Sequence, residues 1–289
     1  MKALLTLGVA AVAAGAVAFA VNRADDVVVD AQDSCDGSCC EAAAANASPA
    51  MKASYVEVAN PVEAGLAAGT VTGSVTFEGD KPKMDPLAIN ADAAKGCAEE
   101  GHEVDPTDRS LMLSEKGGIA NAVVTVSVKG AEVKVPEEPV VLDQKACRYE
   151  PHVLVLPVGA TVRYGNSDTV SHNVHTYAGR NESLNKTVAP GSKEEQKLEK
   201  KDNIEVKCDI HPWMNSYIVV TDDPYVAITD AEGNFSVEGV PAGKHKVNVW
   251  HEKLGKAKGE VTVAEDGTVE AIEIKMGAEK KKGKGKRRR

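Results

Sequence analysis

At 289 residues the chain is long enough for one large or two ordinary domains, with ample core-forming capacity. Hydrophobic residues make up 43% and charged residues 27%, which reads as soluble and globular. Aromatics contribute only 4%, so the core must rest on Val, Ile, Leu and Ala, a composition that suits many short strands. The net charge is −9, but residues 279–289 carry eight Lys or Arg against one Glu, leaving −16 on the rest: a basic tail on an acidic body.

In chain order, Lys2 precedes an apolar run from Ala3 to Val21, and Ala18-Phe19-Ala20 is a small-x-small cleavage pattern. Residues 1–20 are therefore expected to be a secretory signal peptide, with an uncleaved membrane anchor as the alternative, and the protein is expected to be periplasmic or secreted. Export makes disulfides permissible. Residues 21–68 are rich in Ala, Asp and Ser without sustained periodicity and read as a linker; they carry Cys35, Cys39 and Cys40, a cluster suited to local disulfides, to copper(I) or to tethering. Strand signals begin at Thr70–Phe77 and recur at Ala122–Val128, Val153–Leu156, Thr161–Tyr164, Ile204–Lys207, Ser216–Thr221, Val226–Thr229, Asn234–Val237, Lys244–Trp250, Gly259–Val263 and Val269–Ile274. Gly, Pro and Asn punctuate them at a spacing of about ten residues, which predicts an all-β protein of sandwiches. Residues 84–112 are irregular and polar, and the charged stretch Ser192–Lys201 reads as a loop. The tail from Lys280 to Arg289 has low complexity and nothing to pack.

The chemistry is concentrated in Cys208-Asp209-Ile210-His211-Pro212-Trp213-Met214. A thiolate, an imidazole and a thioether in one short segment between two predicted strands form the soft, mixed donor set of a trigonal copper site with a weak axial Met. Pro212 stiffens that loop. The second imidazole must come from elsewhere, and Ser171-His172-Asn173-Val174-His175 offers two. On an extended strand 172 and 175 point to opposite faces, so only one can serve the ion, and His172 is chosen.

With Pro151-His152-Val153-Leu154, Val158-Gly159-Ala160-Thr161, His172-Asn173-Val174 and Cys-x-x-His-Pro-x-Met in place, residues 138–221 resemble the cupredoxins, and amicyanin and plastocyanin-type electron carriers most. The resemblance implies a Greek-key sandwich with one type 1 (blue) copper ion at one end, held by His172, Cys208, His211 and Met214. It also implies that Asn173 pins the ligand loop. On either side, Gly69–Val75 (within residues 69–137) and Asp230–Phe235 with Gly239–Lys244 (within residues 222–276) resemble the carboxypeptidase regulatory-like, transthyretin-type sandwich. The copper module is then either inserted between the two halves of one sandwich or followed by a separate domain, with 277–289 as a basic tail.

Cys97 and Cys147 are the expected disulfide; it would close a loop of 50 residues and stabilise by about 4 kcal/mol in the chain-entropy account. His152 and His251 read as core or surface histidines, and Trp213 as a shaper or cover of the site. His-x-His pairs for a trinuclear copper cluster, paired catalytic carboxylates and phosphate loops are all missing from the sequence. The function expected is therefore non-enzymatic single-electron transfer with redox partner proteins. Copper storage or delivery and an envelope scaffold with a vestigial site are the alternatives. The tail is expected to meet acidic surfaces or lipid, and no nucleic-acid partner is expected.

Overall fold

The computed structural model describes residues 68–97 and 103–277; the expected signal peptide, the Cys35–Cys40 linker and the basic tail lie outside the described residues. The described chain is all-β. Its strands are β1 (Ala68–Glu78), β2 (Val123–Ser127), β3 (Val140–Lys145), β4 (Arg148–Glu150), β5 (Val153–Pro157), β6 (Thr161–Gly165), β7 (His172–Tyr177), β8 (Asn185–Val188), β9 (Lys193–Lys197), β10 (Asp202–Lys207), β11 (Asn215–Thr221), β12 (Val226–Ile228), β13 (Asn234–Pro241), β14 (Gly243–His251), β15 (Gly255–Val263) and β16 (Ile272–Gly277).

Four sheets make two sandwiches. In the central one, a five-stranded sheet ordered β5-β11-β10-β7-β8 faces a four-stranded sheet ordered β4-β3-β6-β9. Leu142, Leu154, Leu156, Val162, Tyr164, Ile204 and Ile218 fill the space between them. In the flanking one, β12-β2-β14-β15 faces β13-β1-β16 over Val71, Val75, Val124, Val126, Val247, Val249 and Val261. Strand β1 pairs antiparallel with β13 and parallel with β16, so strands from both sides of the central stretch share a sheet.

Alternation along the strands explains how the sandwiches join. All five residues of β5 are buried. Leu154 and Leu156 face the central core, while Val153 and Val155 belong to a separate cluster with Val123, Val219 and Val226. A strand has two faces with a period of two, so a continuous apolar run means that both faces are covered. The second face of β5 and β11 therefore lies against β2 and β12. A smaller correction concerns Ser192–Lys201: the expected loop contains strand β9, whose Lys-Glu-Glu-Gln-Lys sequence alternates exposed and half-buried positions and, among the described residues, pairs only with β6. It is an edge strand, where charged side chains are the usual composition because they discourage pairing with other chains.

This framework positions one end of the central sandwich for chemistry. Strand β7 begins at His172, β10 ends at Lys207, and the two are antiparallel with Lys207 opposite His175. The loop that follows β10, Cys208 to Met214, is thereby brought over the start of β7.

Candidate metal centre

Three donor atoms converge at that end. The donor atoms of His172, Cys208 and His211 all lie within 4.8 Å of one another, and all three residues are buried. The loop is closed by its own backbone, with the Met214 N–H donating to the His211 carbonyl at 2.9 Å and the Cys208 N–H to the Met214 carbonyl at 3.3 Å. Met214 is fully buried beside Cys208 and Trp213 in the central core. His175, three residues along β7 from His172, turns the other way: its Nδ1 lies 3.1 Å from the Asp209 carboxylate and its ring stacks on Tyr177.

The orientation of the two imidazoles is fixed from outside. His172 Nε2 lies 2.7 Å from Asp168 Oδ2, and His211 Nε2 lies 3.1 Å from the Ala93 carbonyl oxygen. A carboxylate and a carbonyl can only accept, so each Nε2 carries the ring proton and each Nδ1 presents a lone pair. Those two Nδ1 atoms face each other across 2.9 Å in a buried site. Two lone pairs at that distance repel, and a cation between them, a shared proton or a metal ion, removes the repulsion. Cys208 completes the set. Burial alone would raise the pKa of its thiol, but the imidazoles of His172 and His211 and the backbone N–H groups of Asn173 and His211 outweigh burial and hold it down to about 6. The N–H groups of Asn173 and His211 reach the sulfur at 3.3 and 3.4 Å. Burial likewise opposes a charged His172, yet Asp168 and Cys208 raise its pKa overall. A thiolate and two Nδ1 atoms are a soft donor set that fits a copper ion; zinc accepts the same atoms.

Behind the donors stands a layer of positioning contacts. Asn173 accepts from the Asp209 N–H at 3.2 Å through Oδ1 and donates to Asn185 Oδ1 at 2.7 Å, so it ties the ligand loop to β8. Tyr149 donates its hydroxyl proton to the Asn173 carbonyl at 2.6 Å, and burial raises its pKa. Trp213 donates from Nε1 to the Cys147 carbonyl at 3.1 Å and is almost wholly buried, so it covers the site.

Two features escaped sequence reading. In the sequence Asp168 stands in an ordinary Asn-Ser-Asp run, although its place four residues before His172 is a usable signal. The second is a roof. Cys97 and Cys147 form the expected disulfide, and its sulfurs lie 3.7 Å from His211 Nε2 and 3.8 Å from His172 Nε2. With the turn that carries Ala93, the disulfide covers the outer edge of both rings, and His211 is only 3% exposed. No local pattern in residues 84–112 announces a partner more than a hundred residues away.

No family model matches the chain, and no curated protein matches it. Among solved structures it is similar to a copper-containing nitrite reductase from Thermus scotoductus SA-01, at 26% identity and a TM-score of 0.29, over 34% of this chain and 25% of that one. The chain thus spans about a quarter of that reductase. It is also similar to a purple cupredoxin from Nitrosopumilus maritimus, at 24% identity and a TM-score of 0.25, over 28% of this chain and 99% of that one. A third likeness is to the oxidised P94A variant of amicyanin, at 24% identity and a TM-score of 0.28, over 34% of this chain and 98% of that one. These matches are partial, and they lend nothing to the transthyretin-type reading of the flanking strands.

Proposed function

We propose that the chain is an exported type 1 copper protein that moves single electrons, with His172, Cys208 and His211 as the trigonal ligands and Met214 as the weak axial one. The observation that carries this reading is the pair of opposed, buried Nδ1 atoms beside a thiol biased toward thiolate. A bound copper ion supplies a one-electron couple. The chain's own residues do the rest. Asp168 and the Ala93 carbonyl hold the Nε2 protons, the N–H groups of Asn173 and His211 hold the sulfur, and the disulfide and Trp213 keep water out.

Four side-chain donors leave no open position for a substrate, whereas catalytic metal sites keep one, which supports a carrier and not an enzyme. Burial of all four residues supports retention of the ion over its delivery to another protein. Redox proteins are the partners that follow from this reading. The test is to load the full chain with copper(II) and record visible absorption and paramagnetic resonance beside Cys208→Ser. The expected outcome is an intense thiolate-to-copper band in the native chain and none in the variant; a colourless native protein would overturn the proposal.

A further inference from the structure

The Asp168 side chain is only 7% exposed. Both its oxygens are engaged by donors alone: Oδ1 accepts from the Ala146 N–H at 2.6 Å, and Oδ2 accepts from the Cys147 N–H at 2.8 Å and from His172 Nε2 at 2.7 Å. Two backbone N–H donors and no competing acceptor suit an accepting carboxylate, to which His172 Nε2 can only donate.

The backbone that supplies two of those donors is unusual. Ala146 and Cys147 both have φ of +50°, two consecutive non-glycine residues in the left-handed region. Each such residue costs about 1–2 kcal/mol, and such conformations persist only where the surroundings over-determine them. Here the turn points two successive N–H groups at one spot, a small anion-binding concavity, and Asp168 fills it. Cys147 is held in addition through its disulfide to Cys97. The carboxylate is itself presented by a built turn. Asn166, buried, accepts from the Asp168 N–H at 3.0 Å and donates to the Val170 and Val188 carbonyls at 2.9 and 2.8 Å. Strained backbone, buried amide and buried carboxylate converge on one imidazole nitrogen.

We infer that Asp168 is a positioning residue of the metal centre: it fixes the ring proton of His172 on Nε2, aims Nδ1 at the ion, and sets a negative charge behind the ring that favours the higher oxidation state. The inference rests on the metal-site reading above. The two imidazoles consequently differ, since His211 is held by a neutral carbonyl and His172 by a charged carboxylate. A carboxylate behind a ligating imidazole raises its basicity, and removal of such a partner typically costs about 10- to 100-fold in metal affinity.

Asp168→Asn tests this with little change of shape. An amide keeps one acceptor oxygen, but in either orientation its NH₂ group meets a donor, the Ala146 N–H at one position or the Cys147 and His172 N–H groups at the other. In native full-length protein without metal or loaded with zinc, proton magnetic resonance should show a slowly exchanging His172 Nε2–H; its absence from the folded native protein overturns the inference without any variant. In Asp168→Asn that signal should exchange faster, zinc affinity should fall about 10- to 100-fold, and the copper midpoint potential should move positive. A variant that keeps the slow exchange, binds zinc within about twofold of native and shows an unmoved potential refutes the positioning role. The two readings fail separately. A native protein with no thiolate-to-copper band removes the electron-carrier proposal, while the resonance and the zinc affinity still decide the role of Asp168.

Discussion

Asn173 shows how much one side chain does at this site. Its backbone N–H donates to the Cys208 sulfur, while its side chain bridges Asp209 on the ligand loop and Asn185 on β8. Asn173→Ala keeps the first contact and removes the others, leaving the Asp209 N–H without its acceptor. We expect a loss of about 1–3 kcal/mol, read as a lower urea midpoint with an unchanged slope; an unmoved midpoint would show that the bridge is not needed. The part of the site legible in the sequence was of this kind. Cys208, His211 and Met214 stand out as candidates because three donors fall within one loop, and strand parity shows only that His172 and His175 cannot both face one ion, the choice of His172 following the resemblance to the cupredoxins. Asp168 and Ala93 were illegible for different physical reasons. An Asp in a turn is ordinary turn chemistry, and a backbone carbonyl has no residue identity to read.

Among the elements, legibility followed apolar alternation. Strands β5 and β11 stand out because each carries an unbroken apolar run, Val153–Leu156 and Ile218–Val220, and β9 does not because its five residues are charged or amide. The same contrast governs their energetics. Leu156 on β5 is fully buried in the central core, so Leu156→Ala should destabilise by about 2–5 kcal/mol. Lys197 at the end of β9 is exposed and pairs with Glu199 at 3.5 Å, so Lys197→Ala should stay within about 0.5 kcal/mol of native. Chemical denaturation of both variants checks the pair; comparable losses would mean that β9 carries core weight its burial does not suggest. Apolar pattern could not tell which sheet a strand joins. The partnership of β1 with β13 and β16 spans most of the chain, and pairing over such separations leaves no local trace.

For the molecule as a whole, the seam between the sandwiches is both apolar and titratable. Beside the Val123–Val155–Val219 cluster, His152 on the central sandwich pairs with Glu252 just beyond β14, and both side chains are buried. The neighbouring His251 is buried too, with Nε2 lacking a hydrogen-bond partner among the described residues. Burial first, and His152 second, depress its pKa from 6.5 to about 4. The unfolded chain therefore binds more protons than the native one between those values. The contribution of His251 is fully present above pH about 6.5 and fades as pH falls toward 4, by up to about 3 kcal/mol. Urea midpoints measured from pH 7 to 4 should fall steeply in the native protein and less steeply in His251→Phe; parallel curves would remove His251 as the cause. The roof over the imidazoles also has a temporal consequence. Ala93 and His211 are 118 residues apart, so the outer wall of the centre waits for His211 to be synthesised and is tied down when Cys97 meets Cys147. Oxidation and metallation then become ordered events. Copper should enter quickly while the thiols are free and slowly once they are joined, so stopped-flow uptake by reduced and oxidised apoprotein should differ in rate, and equal rates would show that the ion has another door.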